Sequence, residues 1–172
     1  GFVQSRIHEV WVRLLASSMK DDLRYTPSDC FATFPFPIDF ESSTDVGEIA
    51  SQYFSHRTSL CCENDEGLTS IYNRFYSPHE QSEGILELRR LHGLMDGAVL
   101  RAYGWDDLAE SARCEFLLDY EEEEDDADAG PPAAGARKKS KKKKPWRLRW
   151  PDEFRDEVLA RLLELNEQRH KE

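Results

Sequence analysis

Four residues near the start of the chain bring side chains suited to reading a polar surface: Lys20, Asp22, Arg24 and Tyr25, within Lys20-Asp21-Asp22-Leu23-Arg24-Tyr25. In a major groove an ammonium donates to the guanine O6 and N7 acceptors and a carboxylate accepts from the cytosine N4 amino group. Lys20 and Asp22 together therefore have the chemistry to read one G·C pair. Arg24 is equally suited to a phosphate or to a partner in Asp22 or Asp29, and Tyr25 to bracing the same loop. A plainer reading gives Lys20 to the dipole at a helix end and Asp22 to a turn cap. Sequence alone leaves both open.

Elsewhere the spacings argue against chemistry. Asp152-Glu153 and Asp156-Glu157, interleaved with Arg155 and Arg161, fit solvated helix charge better than a nuclease site, which needs a nearby Lys and a second converging element. His8, His56, His79, His92 and His170 show no ligand spacing. Cys30, Cys61, Cys62 and Cys114 form no Cys-x-x-Cys pair, and they read as small core hydrophobes in a reducing, cytoplasmic setting. Neither a catalytic residue nor a metal site is expected in this chain.

The elements that must hold Lys20 to Tyr25 follow from hydrophobic periodicity. Ile7, Val10, Trp11, Leu14 and Leu15 recur at helical spacing, so a helix is expected from an N-cap at Ser5 to about Met19, with Lys20 at its end. From Leu23 to Phe36 short strand or extended structure is expected, with turn chemistry at Thr26-Pro27-Ser28-Asp29. Phe31, Phe34 and Phe36 carry area that demands burial, and Pro35 and Pro37 make the exit rigid.

Further helices are expected from Thr44 or Asp45 to before Asn64, burying Val46, Ile49, Ala50, Tyr53, Phe54 and Leu60, then over Leu68 to Phe75, and over Ile85 to Ala102. A short helical turn from Asp106 precedes a strand at Cys114 to Tyr120, whose mate is Pro145 to Trp150. A last helix opens at Pro151-Asp152. The fold class is α+β, predominantly α: a helical bundle with a short strand or extended recognition segment and a C-terminal β-hairpin plus helix.

Composition limits the partners. The net charge of −11 has the wrong sign for a free-standing duplex binder. Residues 1–40 carry four bases and five acids, whereas residues 41–118 carry six and fourteen, so the near-neutral first segment is the part suited to nucleic acid and the bundle should face away from it. Residues 119–128 hold eight acids and residues 137–144 seven bases, around a Gly, Pro and Ala stretch; about residues 121–144 are expected to be a disordered loop that neutralises itself or grips phosphate. No 18-residue apolar run is present, so no membrane partner is expected. With no initiator Met before the first helix, the expectation is a fragment of a longer protein.

The run Arg24-Tyr25-Thr26-Pro27-Ser28, then Phe34-Pro35-Phe36-Pro37, preceded by Ser5-Arg6-Ile7-His8 and Trp11-Val12-Arg13, resembles the end of the target-recognition domain in large, MmeI-like (type IIG-like) adenine-specific DNA methyltransferases. Asn73-Arg74-Phe75-Tyr76, Leu91-His92, Met95-Asp96 and Tyr103-Gly104 resemble the helical segment that closes those chains. The resemblance implies a division into residues 1–40, ending a recognition domain, 41–112, a helical bundle, and 113–172, a hairpin with a C-terminal helix. It implies double-stranded DNA and the remaining methyltransferase domains as partners, with S-adenosylmethionine bound elsewhere in the parent chain. It also places Lys20, Asp22, Arg24 and Tyr25 at the DNA, in a restriction–modification or other phage-defence system. The chain itself holds no Asn-Pro-Pro-Tyr or Asp-Pro-Pro-Tyr loop and no glycine-rich strand-to-helix turn. The alternative from another class is an acidic helical module that docks a protein and never touches DNA.

Overall fold

In this computed structural model the described residues are 1–15, 18–19, 22–23, 25–119 and 145–171, with backbone alone for 18–19 and 22–23. The loop expected over about 121–144 lies outside them.

Helix α1 (Arg6–Leu15) starts where its cap signal falls, the His8 amide donating to Ser5 Oγ at 3.4 Å. It runs to Leu15 and not to Met19, which is in a strand, and its last two apolar residues, Leu14 and Leu15, are exposed where Ile7, Val10 and Trp11 are buried. Ser18–Met19 (β1) instead pairs antiparallel with Asp22–Leu23 (β2), Met19 opposite Asp22.

The next segment also departs from expectation. Pro27–Phe31 winds into one π-helical turn, closed by the Ala32 amide on the Pro27 carbonyl at 3.0 Å; turn chemistry was expected at Thr26 to Asp29, but the winding runs on through Cys30 and Phe31, where strand or extended structure was expected. Proline fits there because the first residue of a helical turn needs no amide hydrogen. The turn sends Cys30 into the core and Phe31 out to solvent, contrary to the burial expected of that ring.

Helices α2 (Thr44–Asn64), α3 (Leu68–Phe75) and α4 (Glu83–Ala102) form the bundle, followed by α5 (Asp106–Ser111). Val46, Tyr53 and Leu60 run down the packed face of α2. Phe54 was expected beside them and is 56% exposed, beneath the Arg57 guanidinium at 5.6 Å; a stripe that wide wraps past the contact line with α4. Leu68 is likewise exposed. The α2 helix is closed at its C-terminus by Asp65 in the left-handed region, φ 52°, whose amide returns to the Cys62 carbonyl at 3.4 Å.

Strand β3 (Glu115–Leu118) pairs antiparallel with β4 (Trp146–Arg149), Phe116 opposite Leu148, and α6 (Asp152–His170) returns across α1. Two apolar cores result. One gathers Ile7, Trp11, Phe34, Val99, Trp150 and Leu162 from α1, the exit segment, α4 and α6. The other gathers Tyr53, Leu60, Ile71, Phe75, Ile85 and Leu88 from α2, α3 and α4. Helix α4 passes through both, so it is the shared axis of a predominantly α, α+β fold. All four cysteines are free, and Cys62 is exposed where a core position was expected.

Candidate nucleic-acid interface

Of the residues singled out at the front of the chain, Lys20 and Arg24 lie outside the described residues, and Asp22 is described only as backbone in β2. Tyr25 is fully described. Its ring is 44% exposed, and its hydroxyl is hydrogen-bonded to His8 Nε2 at 3.3 Å, the two rings meeting edge to face at 5.9 Å. His8 is buried on α1 with its other edge against Phe34, centroids 4.7 Å apart, and its Nδ1 has no hydrogen-bond partner among the described residues. Burial lowers the His8 imidazole below its ordinary value, so at neutral pH it is an uncharged prop.

The segment after Tyr25 hangs from the same helix. Trp11 Nε1 donates to Thr33 Oγ1 at 3.1 Å, and Thr33 Oγ1 donates to the Asp29 carbonyl. Phe34 packs under both His8 and Trp11. Helix α1, with His8 and Trp11 one turn apart and Phe34 of the exit segment packed against both, thus fixes the chain that follows the β1–β2 hairpin. No charged group of the described segment takes part in that anchoring.

Helix α1 is in turn pinned by a buried charge network. Arg6 Nη1 donates to Asp96 Oδ2 at 2.5 Å, and the Arg6 amide to Asp96 Oδ1 at 2.9 Å. The remaining guanidinium edge reaches the Leu148 carbonyl on β4 at 3.1 Å. His92 Nδ1 lies 2.6 Å from Arg6 Nη1 and 3.4 Å from Asp96 Oδ2. A guanidinium only donates, so the closer contact makes Nδ1 an acceptor and puts the imidazole proton on Nε2. Burial raises the Asp96 carboxyl while its His92 and Arg6 neighbours and the Arg6 amide lower it, and the net direction is down. Since Nδ1 accepts from Arg6, we assign the lowering chiefly to Arg6. The network ties α1, α4 and β4 together at one point.

Two more arginines organise the α3–α4 connection. Arg74 pairs with Glu66 at 2.8 Å and Glu80 at 2.9 Å. Arg89 donates to four carbonyls, those of Phe75, Arg74, Ser77 and Glu80, at 2.7–3.2 Å. The Asn73-Arg74-Phe75-Tyr76 run therefore ends α3 with Phe75 buried. Neither Arg89 nor the Arg6–Asp96–His92 set was visible from periodicity, although an acid one residue from Met95 on a core helix was a signal for the latter.

The arrangement is a platform rather than a reaction centre: an exposed tyrosine and a two-stranded hairpin held on a charge-locked helix. Among the described residues no group of three or more His, Cys, Asp or Glu could hold a metal, and no helix is long and apolar enough to cross a membrane.

No family model and no solved structure matches this chain. It is 32% identical over 124 residues to DNA methyltransferase A of Bacillus subtilis (strain 168), an alignment covering 71% of this chain and 13% of that protein. The chain is thus related in sequence to a DNA methyltransferase and spans only a small part of its length.

Proposed function

We propose that these residues form a non-catalytic C-terminal part of an S-adenosylmethionine-dependent DNA methyltransferase of the MmeI-like kind, modifying adenine N6 in a cytoplasmic restriction–modification or other phage-defence system. The relationship to DNA methyltransferase A is the observation that carries the reading. The platform geometry supports it, since Tyr25 follows directly on the hairpin and is braced by a helix that cannot shift without breaking a buried ion pair. In this reading Lys20 and Asp22 read a base pair, Arg24 takes phosphate, Tyr25 braces them, and the cofactor and catalytic loop belong to the rest of the polypeptide. Residues 1–40 end the recognition domain and the acidic bundle supports it from the side away from DNA.

The second reading, an acidic protein-docking module without DNA contact, is favoured by one observation: residues 25–56 contain no Lys or Arg at all. Sequencing modified bases in DNA treated with the full-length protein separates the two. Methylated adenine in a fixed motif that changes with Lys20→Ala or Asp22→Ala is the expected result. An unchanged motif removes the role of those residues, and absence of adenine methylation moves the assignment to the docking module.

A further inference from the structure

The exit segment that hangs from α1 also carries the most exposed apolar surface in its neighbourhood. Ile38 is 83% exposed, Phe31 48% and Phe40 37%. They are not scattered: Phe31 meets Phe36 edge to face at 5.4 Å, and Phe36 stacks on Phe40 at 4.5 Å, giving one continuous row of rings with buried Phe2 and Phe34 beneath it. Contiguous apolar surface of this kind marks an interaction site, whereas single exposed apolar residues do not.

Ile38 is held rigidly. The buried Pro37 precedes it, and Asp39 follows in the left-handed region at φ 58°, which short polar side chains such as Asp adopt more readily than most. The Asp39 carbonyl accepts both the Ser42 amide, at 3.0 Å, and the Ser42 hydroxyl, at 2.9 Å, closing the turn. A knob fixed in this way loses little conformational freedom on docking.

The charged residues of the exit segment itself have one sign, while Arg101 of α4 shares a groove with Asp45 and Glu48. Asp29, Asp39 and Glu41 are exposed and adjoin Phe31, Ile38 and Phe40 in the chain, and Asp45 and Glu48 follow on the first turns of α2. The same face would repel phosphate, so its complement is an apolar surface ringed with Lys and Arg.

We propose that the Phe31–Ile38–Phe40 face docks onto a basic-rimmed apolar surface of the methyltransferase's own remaining chain. This proposal rests on the reading given above for the parent protein. In sequence the charges of residues 20–24 balance, Lys20 and Arg24 against Asp21 and Asp22, whereas the charged residues of the exit segment are all acids.

The test places p-benzoylphenylalanine at position 38 of the full-length protein as its host makes it, followed by irradiation, digestion and peptide mass spectrometry. The expected product is an intramolecular cross-link to a Lys- and Arg-rich peptide outside residues 1–172, reduced at least fivefold by Asp39→Lys combined with Glu41→Lys. A 1:1 mixture of isotopically heavy and light protein identifies cross-links between copies. Mixed-label products, a cross-link to the basic run at 137–144, a cross-link only to another protein, or none at all each overturns the docking. Adenine methylation, scored on the same samples, separates the two readings. Cross-linking without methylation keeps the interface and removes the methyltransferase assignment, while methylation without cross-linking does the reverse.

Discussion

Arg6 and Arg89 both point their guanidinium groups into the fold, and what receives them differs in kind. Arg6 meets a carboxylate that is 90 residues away in sequence, within a site closed to water. Arg89 meets carbonyls at the end of α3 and in the short connection that follows, all within fifteen residues. The first compensates charge with charge to join distant segments. The second spends its hydrogen on the acceptors that every helix leaves unsatisfied at its C-terminus. The Arg6 contact is therefore ionisable on both sides, and the Arg89 contacts are ionisable only on the arginine side.

The contrast is broken most severely at Asp96. Asp96→Ala strands Arg6 without its counter-ion and is expected to lower stability by about 3–5 kcal/mol in urea titration. Arg6→Met with Asp96→Leu should recover most of that loss; a double variant no better than the single one means that the pair is not what holds α1. The pH dependence follows the direction of the shift. The folded carboxyl lies below its unfolded value near pH 4, so its contribution is complete above that pH and disappears as the pH falls through the folded value. Glu80, held at about 2 by the Arg74 guanidinium and then by the Ser82 amide, adds loss in the same acid range. Stability should decline gently below about pH 6.5, where the unfolded chain takes up a proton that buried His8 resists, and fall further below about pH 4, with a shallower slope in that lower range in Asp96→Asn.

Arg89→Met comes next, at about 2 kcal/mol, because the Phe75 and Glu80 carbonyls lose the guanidinium while those of Arg74 and Ser77 keep only a backbone donor. Amide exchange over residues 77–82 should accelerate while α1 keeps its protection. Arg89→Lys should fall between, because an ammonium cannot span the four acceptors. The same acid slope in wild type and Arg89→Met would sharpen the contrast, since no titrating partner has been removed. The smallest effect is expected at Phe116, whose ring lies 5.0 Å under the Arg89 guanidinium: Phe116→Leu should weaken stability by about 1 kcal/mol or less.

How much of this was legible varies with the range of the interaction that decides it. The limits of α2, α4 and α6 follow from apolar spacing, and Ser5 announces α1 through a contact three residues long. The end of α1 was misjudged because Leu14 and Leu15 continue the pattern while their exposure, unlike that of Ile7 and Trp11, is decided by the rest of the fold. Phe31 and Phe54 were misassigned for the same reason: their apolar area is local, and whether anything covers it is not. In the candidate site, Tyr25 was named as a brace, but its prop, His8, could not be paired with it from spacing, because the contact exists only once the exit segment folds back over α1. The buried Arg6–Asp96 pair lay hidden behind a separation that no window of sequence spans.

Helix α2 has no side-chain cap bond at either end: Ser43 gives none, and Asp65 closes the other end through its backbone. Its length is therefore set by chain chirality and not by ionisation. Twenty-one residues at 1.5 Å each make a rod of about 31 Å between the aromatic face and the Arg74 connection. Acid that loosens α1 leaves that rod its length, so the fold carries a fixed ruler beside an adjustable joint.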